Sequence, residues 1–253
     1  MSQAAACRSG QDFMNTPVEL SIVIPACLEE ENLRLLLPRI NAVFTELPAS
    51  HEILVVDTME PADNTAAVCG ANGAVHIRRT GGNAYGDAVR TGIARARGAH
   101  ILFMDADGSH SPEYIPQLYR HAAENDIVAA SRYVRGGATE NPWILIFMSR
   151  VLNIVFRVLL RIGCLDVSNS YKLYRAELLK EIRLTCSNFD IIEEILIKCA
   201  MAKRGLRIRE VPFVFKKRMF GQTKRSLLRF MFSFYWTLLK LLAIKAAGTR
   251  RGA

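Results

Sequence analysis

The sequence predicts an α/β fold, a mostly parallel central sheet flanked by helices. Short β-rich runs alternate with longer stretches of helical period, a rhythm that packs helices on both faces of a parallel sheet. Three of those runs also end in polar residues, and in open sheets of this kind ligands bind beyond the carboxyl ends of the strands.

In chain order, strands are expected at Leu20 to Ile24, Glu52 to Asp57, Ala74 to Ile77, His100 to Met104 and Asp126 to Ala130. Helices are expected to start near Glu30, Asp63, Tyr85 and Pro112. The three polar strand ends read I-V-I-P-A, L-V-V-D-T and L-F-M-D-A-D, so Asp57, Asp105 and Asp107 should share one crevice.

Past Asn141 the texture changes. Residues 142–163 and Ser226 to Ile244 form two long apolar helical patterns. In the first, Arg150, Arg157 and Arg161 are spaced by seven and four, which puts them on one helical face. Each central Arg costs about 2.5 to 3.5 kcal/mol to insert in a bilayer, which argues for a helix lying in the interface plane rather than spanning. In the second, Arg229 and Lys240 leave ten uncharged residues between them, short of a span. Interfacial docking and ordinary packing on the sheet both remain open from the pattern alone.

A chain of 253 residues, half of them hydrophobic, can bury one substantial core. Charge is polarised: up to Ala130 there are 9 basic and 16 acidic residues, net −7, and after it 24 basic and 8 acidic, net +16. A cationic half attracts nucleic acid, anionic lipid or phosphorylated substrates. No nucleic-acid reader motif accompanies it, so nucleic acid is set aside as a partner. The six cysteines are dispersed, with no C-x-x-C pair, which indicates neither a disulfide framework nor a structural zinc site and makes a reducing cytosol the simplest home. Residues 1–17 have no continuous apolar core and are expected to be a loose leader; 18–225 then form the catalytic domain, and 226–253 an amphipathic helix with a basic tail.

The strongest local signal is Asp105-Ala106-Asp107-Gly108-Ser109-His110-Ser111-Pro112-Glu113. It sets two carboxylates on alternate residues at a strand end, followed by a turn and a Pro-initiated helix. Two hard oxygen ligands suit Mg²⁺ or Mn²⁺, a cation that keeps its remaining positions for water and substrate phosphates. The segment Arg79 to Gly92 is glycine-rich but does not fit G-x-G-x-x-G, so a dinucleotide-binding reading fails.

Together these motifs resemble glycosyltransferase family 2, and within it the dolichol-phosphate mannosyltransferase group, over roughly Glu19 to Leu227. The resemblance implies a GT-A type nucleotide-sugar-binding fold with Asp105 and Asp107 as metal ligands. Pro25-Ala26-Cys27-Leu28-Glu29 is similar to the family's P-x-Y-N-E, which implies that Pro25, Ala26 and Glu29 wall the nucleotide pocket. Val55-Val56-Asp57-Thr58 is similar to its V-V-D-D, and Asp57 would accept hydrogen bonds from the base; a cap on the helix near Asn64 is the alternative use of that carboxylate. Arg79 to Gly92 resembles the glycine-rich segment before the D-x-D strand, implying close backbone packing near the donor sugar.

Ser131-Arg132-Tyr133 with Gly136-Gly137 resembles the loop whose Arg faces the acceptor phosphate, a role that falls to Arg132. Ser149 matches the acceptor-site helical Ser, although Leu145 and Ile146 stand where the group has an Arg one turn earlier. Asp166 to Lys172 resembles D-x-x-S-G-[FY]-[KR], with Ser170 in place of Gly and Lys172 facing phosphate. Glu210-Val211-Pro212 followed by Arg218 to Lys224 matches E-V-P and R-x-x-G-x-[ST]-K, implying that Arg218 and Lys224 close over a diphosphate.

The activity so implied is metal-dependent, inverting transfer of a hexose from a nucleoside diphosphate sugar, GDP-mannose or a UDP-sugar, to a polyprenyl phosphate. The enzyme would sit peripherally on the cytoplasmic face of a membrane through its amphipathic helices. The alternative is a soluble family 2 enzyme acting on a saccharide, lipid or cell-wall precursor. His110 matches a position with no assigned proton-transfer role.

Overall fold

The computed structural model describes residues 17–217 and 235–246. Arg218 and Lys224 lie outside the described residues, as do residues 1–16 of the expected leader and 226–234 of the second apolar helix.

Five strands fall where the hydrophobic runs place them: β1 (Leu20–Pro25), β2 (His51–Asp57), β3 (Val75–Arg78), β4 (His100–Phe103) and β5 (Ile127–Ser131). Between them run α1 (Glu30–Glu46), α2 (Thr65–Ala71) and α3 (Tyr85–Arg95). The Pro112 start yields only a 3₁₀ turn, Pro112–Tyr114, and a short α4 (Ile115–Tyr119). A two-residue β6 (Ala138–Thr139) precedes α5 (Trp143–Leu160), and then come β7 (Lys172–Arg175), α6 (Ala176–Glu181), α7 (Ile191–Ala202), β8 (Ile208–Pro212) and β9 (Val214–Phe215). A last helix, α8, covers 235–246.

The main sheet has the order β3-β2-β1-β4-β7-β5-β8. All neighbours are parallel except β7, which runs antiparallel between β4 and β5. Winding proceeds outward from β1 in both directions, with β2 on one side and β4 on the other, so the switch point where such sheets bind ligands lies at the carboxyl ends of β1 and β4.

Alternation along the strands divides the core in two. Ile22, Ile24, Val55, Leu102 and Val128 pack on one face with Leu33, Leu36 and Leu37 of α1 and Val68 of α2. Val23, Val56, Ile101, Phe103 and Ala129 pack on the other with Val89 and Ile93 of α3, Phe156 of α5, Leu196 of α7 and Leu241 of α8. Helix α3 approaches closely because it carries glycine at the contact. A Cβ on Gly92 would lie 2.3 Å from Val23 Cγ1, and one on Gly86 would lie 2.4 Å from the Cys186 carbonyl oxygen. The segment's glycines thus pack closely on β1 and on the backbone at Cys186.

The two long helices turn one face to the core and another to solvent. On α5, Leu152, Asn153 and Phe156 are buried, whereas Trp143 and Phe147 are 76% and 60% exposed and Val151, Ile154 and Val158 are exposed with them. On α8, Leu241 is buried and Tyr235, Trp236 and Leu239 are exposed. Arg161 falls just beyond α5, as its left-handed C-cap at φ 53°, so only Arg150 and Arg157 belong to the helical face expected for three. No described helix is long and apolar enough to cross a membrane.

No disulfide joins the described cysteines. Cys69, Cys164, Cys186 and Cys199 are buried, and Cys27 is exposed just past β1. Burial pushes the thiol of Cys69 up to about 11 and those of Cys164 and Cys199 up to about 12, and it raises Cys186 as well.

Candidate active site

The D-x-D segment leaves β4 at the switch point. Met104 still pairs with the sheet through Val23, and Gly108 turns the chain back at φ 78°, a conformation that favours glycine. Each carboxylate is held by a serine. Ser109 donates to Asp107 Oδ1 from its backbone N–H at 3.0 Å and from Oγ at 2.6 Å, and Ser170 Oγ donates to Asp105 Oδ1 at 3.0 Å. Ser170, which stands where the resembled motif has glycine, thus braces the first carboxylate. That hydroxyl was a departure in the sequence and becomes a site residue in the structure.

His110 locks the turn from beneath. The Asp105 N–H donates to Nδ1 at 3.0 Å, which leaves the ring proton on Nε2, where Asn169 Oδ1 accepts at 3.2 Å. The ring is fully buried, stacks on Tyr171 with centroids 4.6 Å apart, and is held neutral by burial, which lowers its pKa against the opposing pull of Asp105 and Asp107. A neutral imidazole with both nitrogens engaged is a scaffold for the turn.

The residues present fit a hard divalent cation. Asp105 is 26% exposed, its Oδ2 lies 3.7 Å from His110 Nε2 while Ser170 holds Oδ1, and no group of three acidic, histidine or cysteine ligands forms among the described residues. A Mg²⁺ or Mn²⁺ ion held by Asp105 and Asp107 alone would keep positions for water and phosphate oxygens.

On the nucleotide side, Pro25 and Ala26 are buried at the end of β1 and Glu29 opens α1, with its Oε2 accepting from Asn32 at 2.5 Å. Asp57, at the end of β2, is buried; Oδ1 accepts from the Thr58 N–H at 2.7 Å and Oδ2 lies 3.1 Å from His76 Nε2. The capping alternative fails, because the Thr65 N–H that opens α2 goes to Asp63 Oδ1 at 3.0 Å. His76 was not singled out in the sequence. Its only signal is register, since β3 pairs with β2 so that His76 lies beside Val55 and Arg78 beside Asp57. Arg79, also buried, donates to the Ala26 carbonyl and, at 2.7 Å, to that of Asn83, tying the end of β1 to the glycine-rich turn.

The acceptor-side expectations fare differently. Arg132 forms a bidentate pair with Asp166, Nε to Oδ2 at 2.8 Å and NH2 to Oδ1 at 2.7 Å, and its side chain is only 9% exposed. Asp166 is itself oriented by the carboxylate of Glu210, which accepts from the N–H groups of Leu165 and Asp166. The guanidinium charge is met inside the protein. Lys172 does not face a phosphate position at all: it is fully buried on β7 and donates to the carbonyls of Val167 and Asn169, with burial lowering its pKa. Its strand was hidden in what reads as a turn motif. Ser149 sits on α5, where its Oγ accepts from Asn153 Nδ2 at 3.3 Å.

A cavity of about 230 Å³ opens next to this cluster, lined by Tyr133, Arg150, Asn153, Ile154, Arg157 and Leu165.

Known proteins share both sequence and fold with this chain. The family model described as Glycosyl transferase family 2 matches residues 21–183. The polyprenol monophosphomannose synthase of Mycolicibacterium smegmatis is 34% identical over 217 residues, which are 81% of this chain and 80% of that protein. The dolichol-phosphate mannosyltransferase of Pyrococcus furiosus is 34% identical over 215 residues, 82% of this chain but 59% of that longer protein. Among solved structures, glucosyl-3-phosphoglycerate synthase of Mycobacterium tuberculosis superposes with a TM-score of 0.68 at 19% identity, covering 89% of this chain and 81% of that one. The same enzyme in complex with Mn²⁺ and UDP-glucose gives 0.68 at 20% identity, covering 89% and 79%. At such identity the likeness speaks to the fold, which is of the GT-A type.

Proposed function

We propose, since the chain belongs to glycosyltransferase family 2 and is a glycosyltransferase, that it transfers a hexose from a nucleoside diphosphate sugar to a polyprenyl phosphate at a membrane surface, with inversion. One observation carries this reading: the D-x-D carboxylates at the switch point share a domain with a helix, α5, that exposes Trp143, Phe147, Val151, Ile154 and Val158 on one side and presents Arg150 and Arg157 to a cavity on another. The carboxylate pair and an exposed apolar surface therefore occur together, which supports a lipid-linked acceptor. The named mannosyltransferase relatives support the same class of acceptor.

The chemistry needs little from the protein beyond placement. A phosphate monoester has its second pKa near 6, so the acceptor oxygen is largely ionised at neutral pH. It attacks the anomeric carbon from the face opposite the nucleotide; the new C–O bond forms as the bond to the leaving diphosphate breaks. Asp105 and Asp107 would hold a Mg²⁺ or Mn²⁺ ion, which when bound offsets charge on that diphosphate. Ser109 and Ser170 fix the two carboxylates, and His110, being neutral and fully bonded, gives the turn its shape without exchanging a proton. Asp57 and the end of β1 receive the nucleotide, with Arg218 and Lys224 assigned to the diphosphate by their motif.

In this reading the enzyme sits peripherally, in the headgroup region of the cytoplasmic leaflet, with the basic half meeting anionic lipid; the exposed apolar residues of α5 and α8 support it. A panel of labelled nucleotide sugars incubated with polyprenyl phosphate, detergent and Mn²⁺ tests the reaction. Label should enter the organic phase from one donor and fall at least about a hundredfold in Asp107→Ala, the scale of losing a group that acts on transition-state charge. Donor hydrolysis alone, or label only in an aqueous product, would move the acceptor to a soluble saccharide or phosphorylated small molecule.

A further inference from the structure

Of the three side chains that the motifs assign to the acceptor, the two cationic ones spend their charge elsewhere, Arg132 on Asp166 and Lys172 on two carbonyls. Two cations close by do not. Arg150 and Arg157 lie two turns apart on α5, and among the described residues neither has a carboxylate partner. Both line the cavity of about 230 Å³, several times the roughly 30 Å³ that one water occupies in the liquid.

The third wall of that cavity is Tyr133. Its ring lies under the Arg150 guanidinium, 5.7 Å from centroid to Cζ, and its hydroxyl is buried with no hydrogen-bond partner. A buried O–H without a partner costs stability unless something supplies an acceptor. Two unpaired guanidiniums and one orphaned donor around the same space describe a receptor for an anion with several oxygens.

The cavity is also placed to matter. Asn153, in its wall, exchanges hydrogen bonds with Ser168, donating to its Oγ at 3.2 Å and accepting from its N–H at 3.0 Å. Two residues on, Ser170 holds Asp105. The cavity wall and the D-x-D are thus joined through one short segment, Ser168 to Ser170, hydrogen-bonded to Asn153 at one end and to Asp105 at the other. Ile154 lines the cavity and is also 53% exposed, continuing into the apolar row of Val151 and Val158.

We propose that Tyr133, Arg150 and Arg157 bind the phosphate monoester of the acceptor, with its prenyl chain leaving over Ile154 along the exposed face of α5. The assignment rests on the polyprenyl phosphate reading above. It differs in the residues used: the cations come from α5 itself, and Arg132 also lies over the Tyr133 ring, at 5.1 Å, while remaining paired to Asp166.

The test measures binding of a short-chain prenyl monophosphate to the full chain in detergent by calorimetry, beside inorganic phosphate, the matching prenyl alcohol and phosphatidylglycerol vesicles. Arg150→Gln and Arg157→Gln should each weaken prenyl phosphate binding and raise the acceptor KM about tenfold, and Tyr133→Phe about fivefold, with the donor KM within about twofold of the parent. Tyr133→Phe should leave the melting temperature unchanged or raised, which a structural hydroxyl would not. Prenyl phosphate affinity that is equal in all three variants, with transfer to it intact, overturns the assignment and leaves the acceptor class standing. Variants that lose only vesicle or free phosphate binding make the cavity a general anion site and overturn it too. A parent chain that neither binds nor glycosylates prenyl phosphate removes both readings.

Discussion

His100 shows how a single ring can couple this fold to pH. It opens β4 with both ring nitrogens buried and unpartnered, its ring edge-on to Tyr119 at 6.3 Å. Burial, aided by the Arg175 charge, outweighs the opposing pull of the Glu19 and Ala122 backbone carbonyls and of the Glu19 carboxylate, and lowers its pKa below the ordinary 6.5. Above that value folded and unfolded chains both carry a neutral ring. As pH falls below it the unfolded chain takes up a proton first, so stability present above about pH 6.5 is lost toward the lower folded pKa. His51, lowered by burial beside Phe44, adds to the same limb. The melting temperature should therefore drop between about pH 7 and pH 5, and His100→Phe, which keeps the ring contact and removes two orphaned nitrogens, should flatten the drop. An unchanged slope in a scanning-fluorimetry series would show that the proton uptake lies elsewhere.

Among the elements, those with strong periods were legible and those carried by pairing were not. The β1, β2 and β4 runs announced themselves as apolar strands ending in polar residues, and the D-x-D followed directly. β7 did not: Lys172–Arg175 is four residues long and carries a lysine at a position that only its neighbours β4 and β5 reveal as buried. The same gap explains why Lys172 was expected at a phosphate. Ser170 and His76 were equally silent, one as a departure from a motif and the other as an edge-strand histidine that acquires meaning only through register. For α5 the sequence left open whether it packs on the sheet or lies on a membrane; the helix packs one face on the core and leaves an apolar face exposed. Replacing Trp143 and Phe147 by serine removes two exposed aromatics worth roughly 1.5–3 kcal/mol each when buried. Partition onto anionic vesicles should fall at least tenfold on that scale, with the melting temperature unmoved. Retained vesicle binding in a sedimentation assay would show that this face is not the contact.

At the scale of the molecule, the acidic and basic halves of the sequence do not form separate bodies. β7 and β8 come from the basic half yet pair with β4 and β5 of the acidic half in one sheet, so the division of charge belongs to the surface rather than to a domain boundary. Interaction with anionic lipid should accordingly weaken with salt while the core, built from both halves, does not respond. The contrast among cysteines, described above as a matter of burial, also makes the protein its own sensor. Thiolate is the reactive form, and the four buried thiols hold their protons far above neutral pH. In a Cys7→Ser background a maleimide dye at neutral pH should therefore attach at Cys27, beside the Ala26 carbonyl that Arg79 grips. The nucleotide sugar that this enzyme uses should slow that labelling, so a plate of candidate donors could be ranked by fluorescence before any acceptor is in hand; a true donor that gives no protection would show that residues 25–29 stand outside the pocket.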